Sequence, residues 1–240
     1  MKKILLMIFL LLDSMQAELV YSASTSLLGQ VGEVKITSKY DKKNYYIKLD
    51  LKATGLAKSM SGGLVEHHLS KGFIKDGELH AREYSIEKFY KKNRYLKRYI
   101  FDYKKKKIKK VMKKWKNGKL SYNHSKTLGY FANNDILTLY PNIMRFKNKD
   151  KTGSYTIRAA GAEKEGSRLT FTLPDKKSAK SILDDLDIDD GEVVKLFLKR
   201  SFLSNGKGNL TFGIGEDGIV KRATLNKLKL LGTLTAKRIK

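Results

Sequence analysis

The sequence predicts a mainly β protein: one antiparallel, strongly curved sheet or partly closed β-barrel with two short helices. Apolar and polar residues alternate over many short runs, as in strands that bury one face. Asp-Gly and Asn-Gly pairs, which favour tight hairpins, separate several of these runs. A succession of long antiparallel hairpins favours a curved or closed sheet.

The predicted strands follow one another along the chain. Tyr45, Ile47 and Leu49 show the alternation most clearly, since lysine and aspartate separate the later members of the series. The predicted strands are 32–38, 44–54, 64–74, 79–89, 95–103, 108–115, 120–124, 153–160, 168–173, 193–202, 210–214 and 219–229. The clearest turns are Asp76-Gly77, Asn117-Gly118, Asn205-Gly206 and Asp217-Gly218.

Two segments predict helices. Asn134 is placed to cap a helix that begins at Asp135, and Pro141 limits or kinks it. The second helix follows Pro174, with Asp175 as its cap. Its apolar positions 179, 182, 183 and 186 form one stripe, so this helix is expected to pack on the sheet.

The first residues have the pattern of an export signal. Lys2 and Lys3 precede an apolar run from Ile4 to Leu12, and Ala17 is a suitable cleavage residue. A run of nine residues is too short to span a bilayer, which takes roughly 20. We therefore expect cleavage after Ala17 and a single domain over residues 18–240. With no cysteine for lipid attachment, the expected product is a soluble periplasmic protein and not a lipoprotein.

The formal charge of +26 is unevenly distributed. Residues 88–119 contain 16 lysines and arginines against one acid, whereas residues 184–192 contain six acids and no base. Such a basic segment favours an anionic partner. Because an exported protein does not meet nucleic acid, we predict that the partner is a lipid or an anionic envelope component. Peripheral contact with a membrane is compatible with this prediction. The candidate anion contacts are Lys104, Lys105, Lys106, Lys107, Lys109, Lys110, Lys113, Lys114 and Trp115.

The aromatic residues of this segment allow a second interpretation. Tyr95, Tyr99, Phe101 and Tyr103 share one strand face and are able to form core, with the lysines on the opposite, solvated side. The alternation favours this interpretation between 99 and 103. Lysine on both faces of the strand 108–115 also argues against a lipid-facing barrel wall.

The residues that resemble a metal site do not form one on the predicted hairpin. Glu66, His67, His68 and His80 are of the types that bind zinc. If Asp76-Gly77 is a two-residue turn, His68 lies opposite Ser85, and His68 and His80 lie on opposite faces. His67 then shares a face with Leu69, Phe73, Tyr84 and Ile86. We predict no metal and no cofactor.

Other motifs fail on spacing. The acidic run from Asp185 lacks the glycine and glutamate that a calcium-binding EF-hand loop requires. Ser85 and Lys88 form a Ser-x-x-Lys pattern, but in a strand they point to opposite faces. We therefore predict no catalytic residue and a protein that is not an enzyme.

Three segments carry a family resemblance. These are Gly29–Ile36 at the start of the sheet, Asp135–Tyr140 in mid-chain and Glu216–Val220 before the last strand. In these segments the chain resembles the exported bacterial family known as domain of unknown function 3108. The resemblance covers roughly residues 29–235 and implies an antiparallel, barrel-like periplasmic protein with no known activity.

The expected function is a non-enzymatic cell-envelope binding module for an apolar or lipid-like ligand held in the concave face. One alternative is a surface binder of acidic envelope polymers that uses the basic hairpins. The other alternative is an enzyme whose site residues converge only in the folded chain.

Overall fold

All strands that the structure describes belong to one sheet of 15 strands. The computed structural model describes residues 15–147, 152–162, 168–199, 207–228 and 232–240. The strands are β1 (Met15–Thr25), β2 (Gly29–Tyr40), β3 (Asn44–Ala53), β4 (Val65–Lys75), β5 (Glu78–Tyr90), β6 (Asn93–Asp102), β7 (Lys107–Lys116), β8 (Lys119–Thr127), β9 (Asn134–Asp135), β10 (Gly153–Ala160), β11 (Arg168–Leu173), β12 (Glu192–Lys199), β13 (Lys207–Ile214), β14 (Val220–Leu228) and β15 (Gly232–Arg238).

The sheet consists of two meanders that are joined by the pairing of the first strand, β1, with the last strand, β15. Strands β1 to β8 pair in sequence, and so do strands β9 to β15. β1 pairs with β15, with Tyr21 opposite Arg238, so β8 and β9 are the two ends of the order. The pairing of β9 with β10 is parallel, whereas the hairpin pairings are antiparallel as predicted.

The sheet curls until its β9 end meets the inner, concave face of β4 and β5. The backbone N–H of Ala81 in β5 donates to the carbonyl oxygen of Asn133 over 2.9 Å. Ser70 Oγ in β4 donates to the Asp135 carboxylate over 2.5 Å. Because β6, β7 and β8 continue past this seam, the barrel is only partly closed. This arrangement confirms the predicted fold class.

The interior on either side of the seam is filled by the chain's own side chains. One core cluster combines α2 with β1, β10 to β12 and the ends of β13 and β14, and Phe171 and Ile214 are buried in it. A second cluster packs Tyr84, Tyr99 and Ile108 of β5 to β7 against Ala132 and neighbouring residues of the β8–β9 connection. The inner face around the seam is therefore hydrophobic core.

The structure describes three helices, one more than predicted: α1 (Gly55–Ser61), α2 (Leu139–Lys147) and α3 (Lys176–Asp185). The α3 prediction is confirmed, since Asp175 caps the helix by accepting from the Ser178 N–H. The α2 prediction is wrong in position, because Pro141 lies in the first turn of the helix. Proline is tolerated there, where the backbone N–H has no intrahelical partner.

The predicted turns agree with the structure where it describes them. Asp76 and Gly77 both have positive φ, and so do Asn117 and Gly118, as a tight two-residue hairpin requires. Asp217-Gly218 lies in the connection between β13 and β14. Asn205-Gly206 falls outside the described residues.

One register prediction for the β4–β5 hairpin is wrong. Phe73 pairs with His80 as expected, but the register shifts at the next pairs, so that Lys71 pairs with Glu83 and His68 with Ile86. Arg82 is the extra residue of this β-bulge. Consequently Tyr84 and Ile86 share the inner face with His68, whereas the prediction placed them with His67.

The leader prediction falls mostly outside the described residues. Residues 15–17 are described, and they pair with the end of β2, with Ala17 opposite Ser38. Cleavage after Ala17 would leave the remaining eight residues of β1 (18–25) paired in the middle of the sheet. Within the described ranges, no helix combines the length and the apolar character needed to cross a membrane.

Candidate functional site

The structure divides the nine candidate anion contacts among three places. The exposed turn between β6 and β7 contains Lys104, Lys105 and Lys106. The outer face of β7 contains Lys107, Lys109, Lys113 and Trp115. The inner face of β7 contains Lys110 and Lys114, on the same side as the buried Ile108.

Further lysines join the last two on the inner face. We call this set the basic inner surface, and its members are Lys88, Lys97, Lys110, Lys114 and Lys126. In one row across β5 to β8, Lys88 pairs with Tyr95, Tyr95 with Lys114, and Lys114 with Tyr122. Lysines and tyrosines therefore alternate from strand to strand.

Tyrosine rings contact the ammonium groups of Lys110 and Lys114 in this surface. The Lys114 Nζ lies 5.5 Å from the ring centre of Tyr95 and 5.4 Å from that of Tyr122. The Lys110 Nζ lies 5.6 Å from the ring centre of Tyr99, and Lys110 is only 6% exposed. Contacts of this kind contribute about 0.5–2 kcal/mol each and fix the position of the charge.

A hydrogen-bonded network borders the basic inner surface on β4. Glu66 accepts from His68 Nε2 at 3.3 Å and from Lys88 Nζ at 2.8 Å. These two contacts hold the pKa of Glu66 at about 2 against the opposing effect of burial. Because an ionised carboxylate only accepts, His68 Nε2 donates to Glu66, and the other ring nitrogen, Nδ1, lies 2.9 Å from the Tyr84 hydroxyl.

Aliphatic side chains lie beside these charges. In one row of the inner face, Leu49 pairs with His68, His68 with Ile86, Ile86 with Lys97, and Lys97 with Met112. Leu49, Ile86 and Met112 are neither buried nor fully exposed. Between the seam and the β5–β6 and β7–β8 turns, the inner face of β3 to β8 thus combines apolar surface with fixed positive charge.

A buried carboxyl group lies next to this surface, at the seam. Asp135 accepts from Ser70 Oγ and from the backbone N–H groups of Leu137 and Thr138. Since Ser70 donates its proton to Asp135, the Tyr45 hydroxyl donates to Ser70 over 3.0 Å. Complete burial raises the pKa of Asp135 to about 6 even with these bonds in place.

Of the residues in the metal-like motif, Glu66 and His68 contact each other, whereas His67 and His80 lie elsewhere. His67 lies on the outer face, where its Nδ1 contacts Asp50 at 2.5 Å. His68 points inward to Glu66, and His80 stacks on Phe73 with the ring centres 5.1 Å apart. Among the described residues, no three histidine, cysteine, aspartate or glutamate side chains come together as the ligands of a metal ion would.

No family model matches the chain, and no curated protein sequence matches it either. Among solved structures, it is similar over 93% of its length to a β-barrel-like protein of the domain of unknown function DUF1849 from Brucella abortus, with 10% sequence identity and a TM-score of 0.47. The similarity covers 95% of that protein. The resemblance to the domain of unknown function 3108 stays a prediction.

Lys88, Lys97 and Lys126 are members of the site that were not among the predicted anion contacts. The predicted aromatic core face is confirmed for residues 99–103, since Tyr99 and Phe101 are buried. The placement of the lysines on the opposite face is wrong, because Lys97, Lys110 and Lys114 share the inner face with Tyr95 and Tyr99. A signal was present, since Lys97 lies two residues from both tyrosines and must share their face.

Proposed function

We propose that the chain is an exported, non-enzymatic binding module of the periplasm for an amphipathic anionic ligand, a fatty acid or a lipid with an acidic head group. The observation that carries the proposal is the basic inner surface in register with half-exposed aliphatic side chains. The apolar part of the ligand packs on Leu49, Ile86 and Met112. Its acidic group is held by Lys97 and Lys114.

Two features favour binding over catalysis on this face. Glu66 is engaged by His68 and Lys88, and His68 is engaged by Tyr84, so the titratable groups of the network satisfy one another. Lys114 is positioned between two tyrosine rings, which suits it to pair with an anion. A preorganised cation reduces the entropy cost of holding a ligand.

Lys114→Glu is expected to weaken the binding of dodecanoic acid by about tenfold or more, because it replaces attraction by repulsion at the acidic group. Calorimetric titration of delipidated protein measures the dissociation constant. Dodecanol has the same chain length without the charge, so its affinity should be nearly unaffected by the variant.

Lys113→Glu is the matched control. It makes the same charge change one residue away, on the outer face of β7. We expect its affinity for dodecanoic acid to stay within about twofold of the parent. Equal loss in both variants would instead favour the acidic-polymer alternative, and an absence of saturable binding to the parent protein would refute the lipid-like ligand.

Export is tested separately. The protein isolated from its own cells is expected to lack residues 1–17, since the apolar run and Ala17 follow the pattern of a cleaved leader. Intact-mass measurement and N-terminal sequencing give the result directly. Recovery of the full-length chain in the cytoplasmic fraction would contradict the periplasmic proposal.

A further inference from the structure

We propose that one end of the sheet is a docking surface for an anionic phospholipid bilayer. This end, the rim, consists of residues 26–30, 52–64, 90–94 and 115–120. It contains the β1–β2 turn, helix α1, and the β5–β6 and β7–β8 turns. The proposal concerns the outside of the rim, so it does not depend on the ligand proposed for the inner face.

Backbone hydrogen bonds join the parts of the rim. The N–H of Thr54, just before α1, donates to the Val31 carbonyl oxygen in β2 over 3.0 Å. The N–H of Lys91, in the β5–β6 turn, donates to the Gly62 carbonyl oxygen at the end of α1 over 2.7 Å. The β7–β8 turn is attached in the same way, through the N–H of Asn117 to the β5–β6 turn over 2.9 Å. The rim is therefore one continuous surface.

Large apolar side chains project from the rim into solvent. Met60 and Leu27 are 74% and 70% exposed, the highest values for large apolar side chains in the described part of the chain. Leu56 is 61% exposed and Leu120 is 53% exposed. Single exposed apolar residues are ordinary, but four on the turns and helix of one end favour insertion into an apolar phase.

The charge of the rim matches an anionic membrane. Its four segments contain seven lysines and arginines and no acid. Acids occur instead at the opposite strand ends, in the turns that contain Asp41, Asp76 and Asp217, although Lys104 to Lys106 also lie at that end. Each lysine or arginine near an anionic leaflet contributes about 1 kcal/mol of attraction.

The same charge argues against a second copy of the chain as the partner. Two rims would bring together seven positive charges from each copy, of which Arg94 is paired with Glu87 beside the rim. Leu27 projects from a turn, and Leu56 and Met60 project from the short helix α1. Side chains in such positions are able to insert between lipid head groups. We therefore assign the surface to an anionic bilayer.

The test is co-sedimentation of the protein with vesicles. We expect binding to vesicles of phosphatidylcholine with phosphatidylglycerol and little binding to phosphatidylcholine alone. Trp115 lies in the rim and is the only tryptophan of the chain, so its fluorescence should shift to the blue on binding. Lys91→Gln with Lys92→Gln should weaken binding roughly 30-fold, and Leu56→Ser with Met60→Ser about tenfold.

Matched controls come from outside the rim. Lys104→Gln with Lys105→Gln removes the same charge, and Ile239→Ser removes an apolar side chain that, like Leu56, is 61% exposed. Both controls should bind vesicles within about twofold of the parent. All changes are at exposed positions, and circular dichroism checks that the variants fold.

Three outcomes would refute the proposal that the rim docks on an anionic bilayer. These are no sedimentation with anionic vesicles, equal losses in rim and control variants, and self-association that depends on Leu56 and Met60 without vesicle binding. Vesicle binding by a protein that fails to bind dodecanoic acid would support the rim and refute only the inner-face ligand.

Discussion

Gly72→Ala is expected to lower the free energy of unfolding by about 3–5 kcal/mol. Gly72 is buried in β4 opposite the bulge, and a Cβ at this position would overlap the carbonyl oxygen of His80. The same Cβ would come within 2.8 Å of the Tyr45 ring, which packs over the glycine. A backbone atom cannot rotate away as a side chain can, so β4 and β5 would have to separate locally.

Thermal and urea unfolding measure this effect. For a chain of this size, the expected loss corresponds to a decrease in Tm of about 6–20 °C. Gly129→Ala is the matched control, since a Cβ there meets nothing within 4 Å and the residue is exposed. A Gly72→Ala variant as stable as the control would show that the hairpin accommodates the side chain.

The pH dependence of stability is expected to report on Asp135. Its pKa is raised from 3.8 to about 6 by burial, so the folded state holds this proton more tightly than the unfolded state. The contribution of Asp135 to the free energy of unfolding should therefore increase by about 2.4 kcal/mol as the pH falls from about 7 to about 4. Glu66, with its pKa lowered to about 2, acts in the opposite direction at lower pH.

Asp135→Asn isolates the contribution of this carboxyl group. The difference in unfolding free energy between parent and variant should change by about 2.4 kcal/mol in favour of the parent between pH 7 and pH 4. Ser70→Ala should move the transition to higher pH, because the Ser70 hydrogen bond lowers the pKa of Asp135. A pH-independent difference for Asp135→Asn would contradict the raised pKa.

Much of the sheet is predictable because its determinants are local. Alternation with period two identifies strands, and Asp76-Gly77 and Asn117-Gly118 determine where hairpins turn. The bulge is not predictable in this way, because Arg82 is as compatible with a regular pairing as its neighbours are. The bulge accompanies the close approach of β4 and β5 at Gly72. That approach depends on the folded structure and not on the local sequence.

The candidate site was predictable only in part, for a related reason. The density of lysine indicated an anionic partner, but density along the chain does not separate Lys113 from Lys114. Their opposite faces follow from the alternation of β7, and the seam then decides which face is enclosed. Helix α1 was missed because it is only seven residues long, begins at Gly55 and has no buried residue.

The pairing of β1 with β15 bears on how the chain folds. Ala23 of β1 pairs with Ala236 of β15, so the middle of the sheet joins strands more than 200 residues apart. The hairpins from β2 to β8 are local and able to form early, but the middle of the sheet cannot form until residues 232–238 are available. Folding is therefore expected to be limited by this long-range contact. An unfolded interval of this kind is compatible with transport of the chain before it folds.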